Sequence, residues 1–406
     1  MPYINRDMEK LVSDLAKEYS CILITGPRQV GKSTLLEHLD SNRNKVTLDD
    51  LQERNLAKQD PEMFLKIHKP PVLIDEVQYA PELFSYIKIA IDNGATSGSF
   101  FLTGSQSYKL MHLAQESLAG RIAVLNLSSV SQHELYSNAE LQPFNVSVDH
   151  LSARTRSSRP ADLEEMFKRI WYGGLPGLVS GKYTNRDVYY SSYLQTYLTR
   201  DVKEEITVKD DYKFIDFIRA AACRIGQELN IHSIALDVDV SDDTAKRWLG
   251  LLEKSEIIFY LHAYSNNLLK RIVKTPKLYF FDTGLVAYLT KYSTPEILQN
   301  GSINGAILEN YVVAEIRKSY LNCGKELFMY YFRDKQQHEI DLILESDGML
   351  HPIEIKKSSN PTASMIKNFD ILKKAALPVG KGAIICMKDA FTALDRENLI
   401  VPAWCI

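Results

Sequence analysis

The residues best suited to chemistry fall into two groups at opposite ends of the chain. In CILITGPRQVGKST (21–34), Gly26, Gly31, Lys32 and Ser33 stand at the spacing Gly-x4-Gly-Lys-Ser, after an apolar run and at a helix start. This is the pattern of a phosphate-binding loop, in which backbone N–H groups at a helix N-terminus wrap phosphate oxygens and side chains at the glycines would intrude. Gly26, Pro27, Arg28, Gln29, Val30, Gly31, Lys32, Ser33 and Thr34 are thus the expected nucleotide contacts. Lys32 would neutralise the β- and γ-phosphates of ATP, and the Ser33 hydroxyl would ligate Mg2+. PPVLIDEVQYAP (70–81) adds a strand ending in Asp75, suited to the Mg2+ shell, and Glu76, suited to orienting or deprotonating the attacking water. GSFFLTGSQS (98–107) ends in small polar groups, of which Ser105, and after it Thr103, could sense the γ-phosphate. Arg121 could stabilise transition-state charge in this chain or a neighbouring subunit, a surface ion pair being the plainer use of it.

The second group lies in HEIDLILESDGMLHPIEIKKS (338–358). Glu354 and Lys356 are two apart on a strand and project from one face, and Asp341 falls on the preceding strand. Two carboxylates suit Mg2+, which binds through one or two acids and keeps its waters. Lys356 beside such an ion could position or activate a water and stabilise developing negative charge. A lone Glu-x-Lys on a strand is more often a solvated ion pair, so the arrangement of neighbouring elements decides its meaning.

Those elements read as an α/β multidomain chain. Residues 1–150 predict a parallel sheet with helices on both faces, and 151–210 a helical connector broken at GGLPG (173–177). In the connector, Arg200 is a candidate to reach back to the nucleotide. Residues 211–280 predict two short helices, a third helix capped by Ser241 and a β-hairpin, the order of a winged helix. Its basic residues are Lys246 and Arg247 on the third helix and Lys270, Arg271, Lys274 and Lys277 on the hairpin, opposed by Asp242 and Asp243. Residues 281–406 predict an amphipathic helix (306–320), strands at 327–334, 338–345 and 349–357, a helix near 362–376 and a strand at 382–387.

GPRQVGKST, LIDEVQ, FLTGSQS and LAGR, in this order, resemble the bacterial and archaeal AAA-type ATPases that carry a C-terminal domain of unknown function. WYGGLPGLV (171–179), YLTRDV (197–202), TPKLYFFDTGL (275–285) and YYFRDKQQHEIDLIL (330–344) are similar to further signatures of that family. The resemblance implies a glutamate-catalysed P-loop fold with an additional strand, and a winged helix behind it. The C-terminal element order also resembles restriction-endonuclease-like, PD-(D/E)xK nuclease domains. That likeness implies a metal site of Glu309, Asp341 and Glu354, with Lys356 beside it.

Bulk properties limit the function classes. At 406 residues the chain predicts two to four domains, and a formal charge of -3 leaves nucleic-acid contact to a local patch. Five scattered cysteines without a CxxC predict a reducing, cytoplasmic setting, and no apolar run approaches the ~20 residues of a membrane span. The leading expectation is an ATP-hydrolysing, DNA-associated protein, touching DNA through the winged helix and a nuclease-like C-terminal domain. The alternative is a nucleotide-dependent regulatory switch whose winged helix and C-terminal domain bind a protein partner. An oligomer is compatible with either.

Overall fold

The computed structural model describes residues 3–104, 116–197, 211–267, 271 and 274–406, so Ser105, Arg200 and Lys270 lie outside the described residues. The N-terminal unit is a five-stranded parallel sheet. Its strands are β1 (Cys21–Thr25), β2 (Asn44–Thr47), β3 (Val72–Asp75), β4 (Phe100–Thr103) and β5 (Ile122–Asn126), in the order β2-β3-β4-β1-β5. β1 is buried along its whole length, as a central strand covered on both faces must be. Alternation splits its side chains between two cores: Cys21 and Leu23 pack with Phe64 and Phe84, and Ile22 and Ile24 with Leu35 and Leu36. Because all five strands run parallel, Thr25, Asp75, Thr103 and Asn126 come together at one sheet edge.

The second sheet has eight strands in the order β12-β13-β11-β10-β9-β8-β6-β7. They are β6 (Ile258–Ala263), β7 (Lys277–Phe280), β8 (Phe328–Arg333), β9 (Glu339–Ser346), β10 (Met349–Lys356), β11 (Gly382–Cys386), β12 (Thr392–Ala393) and β13 (Asn398–Pro402). Helices Asp211–Ala222, Ile231–Asp237 and Asp242–Lys254 precede β6, and Ser241 caps the third by accepting the Thr244 N–H at 3.2 Å. The β6–β7 hairpin does not stand apart: β6 pairs in parallel with β8, which makes the hairpin the edge of the C-terminal sheet. One hydrophobic core runs from Phe144 to Ile406, and Phe280 is part of it.

Two elements differ from the sequence reading. Helix Asn304–Asn322 is buried on nearly every side instead of presenting a polar face. Its polar residues are internal ties: Asn310 bonds both backbone groups of Phe280, at 2.8 and 2.7 Å, and Ser319 accepts the Phe144 N–H at 3.0 Å. Residues 362–376 form two 3-10 turns, Ala363–Ile366 and Phe369–Lys374, instead of one helix. Phe369 and Leu372, three residues apart, enter a small core with Ile340, Ile343 and Leu350, a spacing that a 3-10 turn aligns on one face.

The two halves are joined at the expected break in the helical connector. Gly173 has φ +79°, and a Cβ there would sit 2.4 Å from the Tyr190 hydroxyl and 2.6 Å from Asp282 Oδ1. The Gly174 carbonyl accepts the Val130 N–H at 2.8 Å, and the Gly174 N–H is donated to Asp282 Oδ2 at 2.8 Å. The GGLPG and DTGL segments thereby meet against the chain leaving β5. Among the described residues, no helix is long and apolar enough to cross a membrane.

Candidate functional site

The loop after β1 takes the shape its glycines allow. Gly26 has φ +140°, and a Cβ there would meet the Leu127 carbonyl oxygen at 2.1 Å. Helix Lys32–Leu39 begins directly after the loop, so its free N–H groups face the cradle. Lys32 is buried, and its ammonium donates to the carbonyls of Gly26 (3.0 Å) and Pro27 (2.8 Å). Burial depresses its pKa, with the nearby Glu76, Asp75 and Glu256 carboxylates opposing that shift and Arg28 adding to it.

Asp75 ties the strand ends together. One of its carboxylate oxygens accepts hydrogen bonds from both the Ser33 and the Thr103 hydroxyls. A hydroxyl and a carboxylate in contact at the foot of the loop are the donor set that octahedral Mg2+ takes, so these residues fit that ion. Glu76 follows in a left-handed conformation, φ +59°, a strained state for a non-glycine residue. Its N–H is donated to Thr103 Oγ1 at 3.2 Å, and Gln78 donates to its carboxylate. Thr103, the second choice from sequence, therefore holds both acids.

Arg121 is not brought to this site. It precedes Ile122, which pairs with Cys21 at the beginning of β1, about 13 Å of strand away from Thr25. There it forms an ion pair with Asp92 at 2.8 Å, at the sheet edge opposite the loop. Parallel strand direction decides the point: an arginine at the start of a strand cannot share the pole occupied by the strand ends.

Three residues without a sequence motif complete the neighbourhood. Arg6 is buried and clamps the loop, donating to Val30 O and Ser128 O at 2.8 Å each and pairing with Glu134 at 2.9 Å. Asn126, at the end of β5, donates to Glu256. Glu256 arrives from the C-terminal body, between helix Asp242–Lys254 and β6, and is close enough to Lys32 for their charges to interact. Burial pushes the Glu256 carboxyl up to about 7, against the opposing pull of Asn126, Arg317 and Lys32. Beside the loop lies a cavity of about 1020 Å3, lined in part by Tyr3, Val30, Gly31, Thr34, Pro176 and Tyr189.

The C-terminal group is assembled differently. Leu342 pairs with Ile353, so Asp341 and Glu354, one residue further along each strand, stand side by side. Lys356 bridges them, with Nζ 2.9 Å from Asp341 Oδ2 and 2.6 Å from Glu354 Oε2. Asp341 Oδ2 also accepts the Ile355 N–H at 2.8 Å. Burial and the Asp341 charge push the Glu354 carboxyl up to about 8. Glu309 accepts the Tyr279 hydroxyl at 2.6 Å and pairs with Lys277 at 3.1 Å, while Lys277 also pairs with Glu339 at 2.6 Å. As placed, these acids are occupied by ammonium groups and do not fit a divalent ion; among the described residues, no group of three or more His, Cys, Asp or Glu is disposed to hold one. Lys277 and Arg271, two of the basic hairpin residues that could have met nucleic-acid phosphates, both point inward, Arg271 to Glu345 at 3.1 Å and to the Tyr330 hydroxyl at 3.0 Å.

Three family models match segments of the chain. Residues 18–136 match an AAA domain, 163–296 a domain of unknown function (DUF8612) and 304–406 another domain of unknown function (DUF4143). The first match supports an AAA-type ATPase, with ATP binding or hydrolysis in the N-terminal unit. Uncharacterized proteins of Mycobacterium bovis and Mycobacterium tuberculosis are each 28% identical over 353 residues, covering 84% of this chain and 71% of the relative. An uncharacterized protein of Methanocaldococcus jannaschii is 24% identical, covering 94% of this chain and 83% of the relative. Among solved structures, a Walker-type ATPase of Pyrococcus abyssi is 16% identical, with 71% of this chain and 96% of that chain covered and a TM-score of 0.41.

Proposed function

We propose that this chain is a Mg2+-dependent ATPase that acts as a switch, passing its nucleotide state to the C-terminal body. The observation that carries this reading is Glu256, a buried carboxylate from the C-terminal body held by Asn126 beside the Lys32 ammonium. Phosphates in the loop would add several negative charges near that carboxylate. Like charges in a poorly solvated site repel strongly, so Glu256 must move or take up a proton. Its second oxygen, Oε2, and Nε of the neighbouring Arg317 are both buried with no hydrogen-bond partner in the structure. The Arg317 guanidinium is held over the Phe259 and Phe281 rings, at 5.1 and 5.3 Å, so Glu256 and Arg317 keep hydrogen-bonding capacity that a rearranged contact could use. Any shift of Glu256 is felt directly by helix Asp242–Lys254 and β6, which flank it.

In this reading the loop N–H groups and Lys32 bind the phosphates, Lys32 exchanging its two loop carbonyls for phosphate oxygens. Ser33 and Asp75 would hold Mg2+, which when bound neutralises charge on the β- and γ-phosphate oxygens. Glu76 orients the attacking water and takes its proton, with Thr103 fixing the backbone of Glu76 and the side chain of Asp75. The cavity beside the loop has the size to take a nucleoside.

Hydrogen exchange of the full chain, with Mg2+ and either ADP or a non-hydrolysable ATP analogue, tests the proposal. Protection is expected to change in the loop 26–34, around 254–260 and in helix Asn304–Asn322. A change confined to the loop would reject the switch while keeping nucleotide binding. No change in the loop would reject both. DNA association retains Lys246, Arg247 and Lys274, which are exposed, and salt-dependent DNA binding lost on their replacement would favour it.

A further inference from the structure

Four carboxylates converge at the C-terminal sheet from three elements: Glu309 on helix Asn304–Asn322, Glu339 and Asp341 on β9, and Glu354 on β10. Two ammonium groups serve them, and the Arg333 guanidinium also lies 3.9 Å from Glu339. Lys356 belongs to the same strand as Glu354 and spans Glu354 and Asp341. Lys277 comes from elsewhere. It opens β7, the edge strand, which is separated from β9 by β6 and β8 in the sheet order. The sheet must therefore curl for the hairpin lysine to reach Glu309 and Glu339. Once there, it is 2% exposed, and Tyr279 from the same face of β7 donates to the same oxygen of Glu309. Asp341 adds its charge to both Glu309 and Lys277.

We infer that the Lys277 ammonium, delivered by the β6–β7 hairpin, takes the place of a divalent cation between Glu309 and Glu339 and locks the cluster in a metal-free form. The chemistry of the two cations sets the exclusion. Mg2+ or Mn2+ needs carboxylate oxygens drawn close on several sides with room for bound water, whereas an ammonium spends its three donors on oxygens at ordinary hydrogen-bond lengths. Lys277 fills the space between its two acids, and burial leaves no alternative partner in solvent. The two cannot coexist, and a metal enters only when β7 leaves. The hairpin is also part of the edge that carries Glu256 at the entry to β6, so the seat of Lys277 depends on the same hairpin, although its lock does not require the proposed ATP switch.

The test uses Mn2+ alone as probe, on the full chain without nucleotide, carrying Ser33→Ala to remove the loop hydroxyl. Bound Mn2+ is counted by electron paramagnetic resonance, and thermal stability is followed with and without the ion. The Ser33→Ala parent is expected to show no Mn2+ site that responds to Glu309→Gln, and no rise in Tm with Mn2+. Adding Lys277→Met is expected to create one Mn2+ site at least tenfold tighter than any in the parent. That site should raise Tm and vanish on Glu309→Gln. Lys277→Gln, which keeps a polar side chain of similar length, serves if the methionine variant does not fold. Stoichiometric Mn2+ binding by the parent that Glu309→Gln or Glu354→Gln removes would overturn the lock. So would a folded Lys277 variant that gains no site.

Discussion

Asn126 at the end of β5 donates a hydrogen bond to Glu256 at the entry to β6, so the sheet of the N-terminal unit and the C-terminal body share one buried polar contact beside the phosphate loop. Its carboxylate carries a pH signature. Glu256 titrates at about 7 when folded and near the ordinary 4.5 when unfolded, because burial disfavours its charge. The folded state therefore binds the proton more tightly, and its stabilising effect is complete below about pH 4.5 and lost as pH rises through about 7. The loss is roughly 3 kcal/mol at most. Glu256→Gln removes that dependence, so the difference in unfolding free energy between variant and wild type should grow in favour of the variant from about pH 5 to pH 8. Urea titrations at several pH values measure it, and a constant difference would contradict the assignment.

The same carboxylate links nucleotide binding to protons. Phosphate charge near Glu256 raises its pKa further, so binding ATP at about pH 7.5 should draw a proton onto the protein. Calorimetric titrations in buffers of different ionisation enthalpy would show net uptake for the wild type and markedly less for Glu256→Gln. Equal uptake in the two proteins would place the linked proton elsewhere.

Thr103 separates binding from turnover. Its hydroxyl donates to Asp75 and accepts the Glu76 N–H, so it positions the metal-side acid and the water-side acid together. Thr103→Val removes both bonds at nearly constant volume. Turnover should fall by roughly tenfold to a hundredfold, the scale of about 1.4–2.7 kcal/mol in the barrier, with a much smaller change in ATP affinity. Glu76→Gln should cost about 10²–10⁴ in kcat with binding retained. Equilibrium binding of a labelled ATP analogue beside steady-state hydrolysis distinguishes the two effects.

The phosphate loop, Asp75 and Glu76 were legible because each depends on local order: a strand, a glycine loop and a helix start, or a strand ending in acids. The shared face of Asp341, Glu354 and Lys356 was legible for the same reason, since alternation fixes it, but the metal site expected of them was not, because Lys356 occupies both acids. Arg6, Asn126 and Glu256 carry no such signal, because Arg6 is fixed largely by Ser128 and Glu134, more than a hundred residues away, and Asn126 and Glu256 meet across the two halves of the chain. Lys277 lies within TPKLYFFDTGL, but a lysine on a hairpin looks solvent-facing until the neighbouring strand is known, and here it is buried against Glu309 and Glu339. Helix Asn304–Asn322 misled in the opposite way, since polar residues that suggest a wet face are in fact paired inside the core.

Gly26 has a steric role that a single methyl group exposes. A Cβ there would lie 2.1 Å from the Leu127 carbonyl oxygen, far inside contact distance, at a φ that L residues rarely adopt. Gly26→Ala must push the loop away from β5 or break the Leu127 N–H bond to the Thr25 carbonyl, 2.8 Å in the native fold. We expect a loss of about 2–4 kcal/mol in stability and at least a tenfold weakening of ATP binding. Denaturant unfolding and nucleotide titration read the two separately; an unchanged ATP affinity would show that the loop relaxes without losing its cradle.

Asp282 is the polar centre of the junction between the halves. Its carboxylate accepts the Gly174 N–H, the Leu285 N–H and the Tyr190 hydroxyl, each at 2.8 Å. Asp282→Ala leaves the Gly174 and Leu285 N–H groups buried without an acceptor and the Tyr190 hydroxyl with only the Tyr172 carbonyl, 3.1 Å away, and each orphaned donor costs on the order of 1–3 kcal/mol. Partial relaxation and water entry reduce the sum, so a loss of about 3–5 kcal/mol is expected, with a smaller loss for Asp282→Asn, which keeps one carbonyl acceptor. Tyr190→Phe removes a single donor and should cost only about 1 kcal/mol. Because Gly174 also holds Val130 at the exit from β5, the alanine variant should in addition weaken the response of helix Asn304–Asn322 to nucleotide. Urea unfolding ranks the three variants, and hydrogen exchange with and without nucleotide reads the coupling; a ranking in which Tyr190→Phe exceeds Asp282→Ala would remove Asp282 from the centre of the junction.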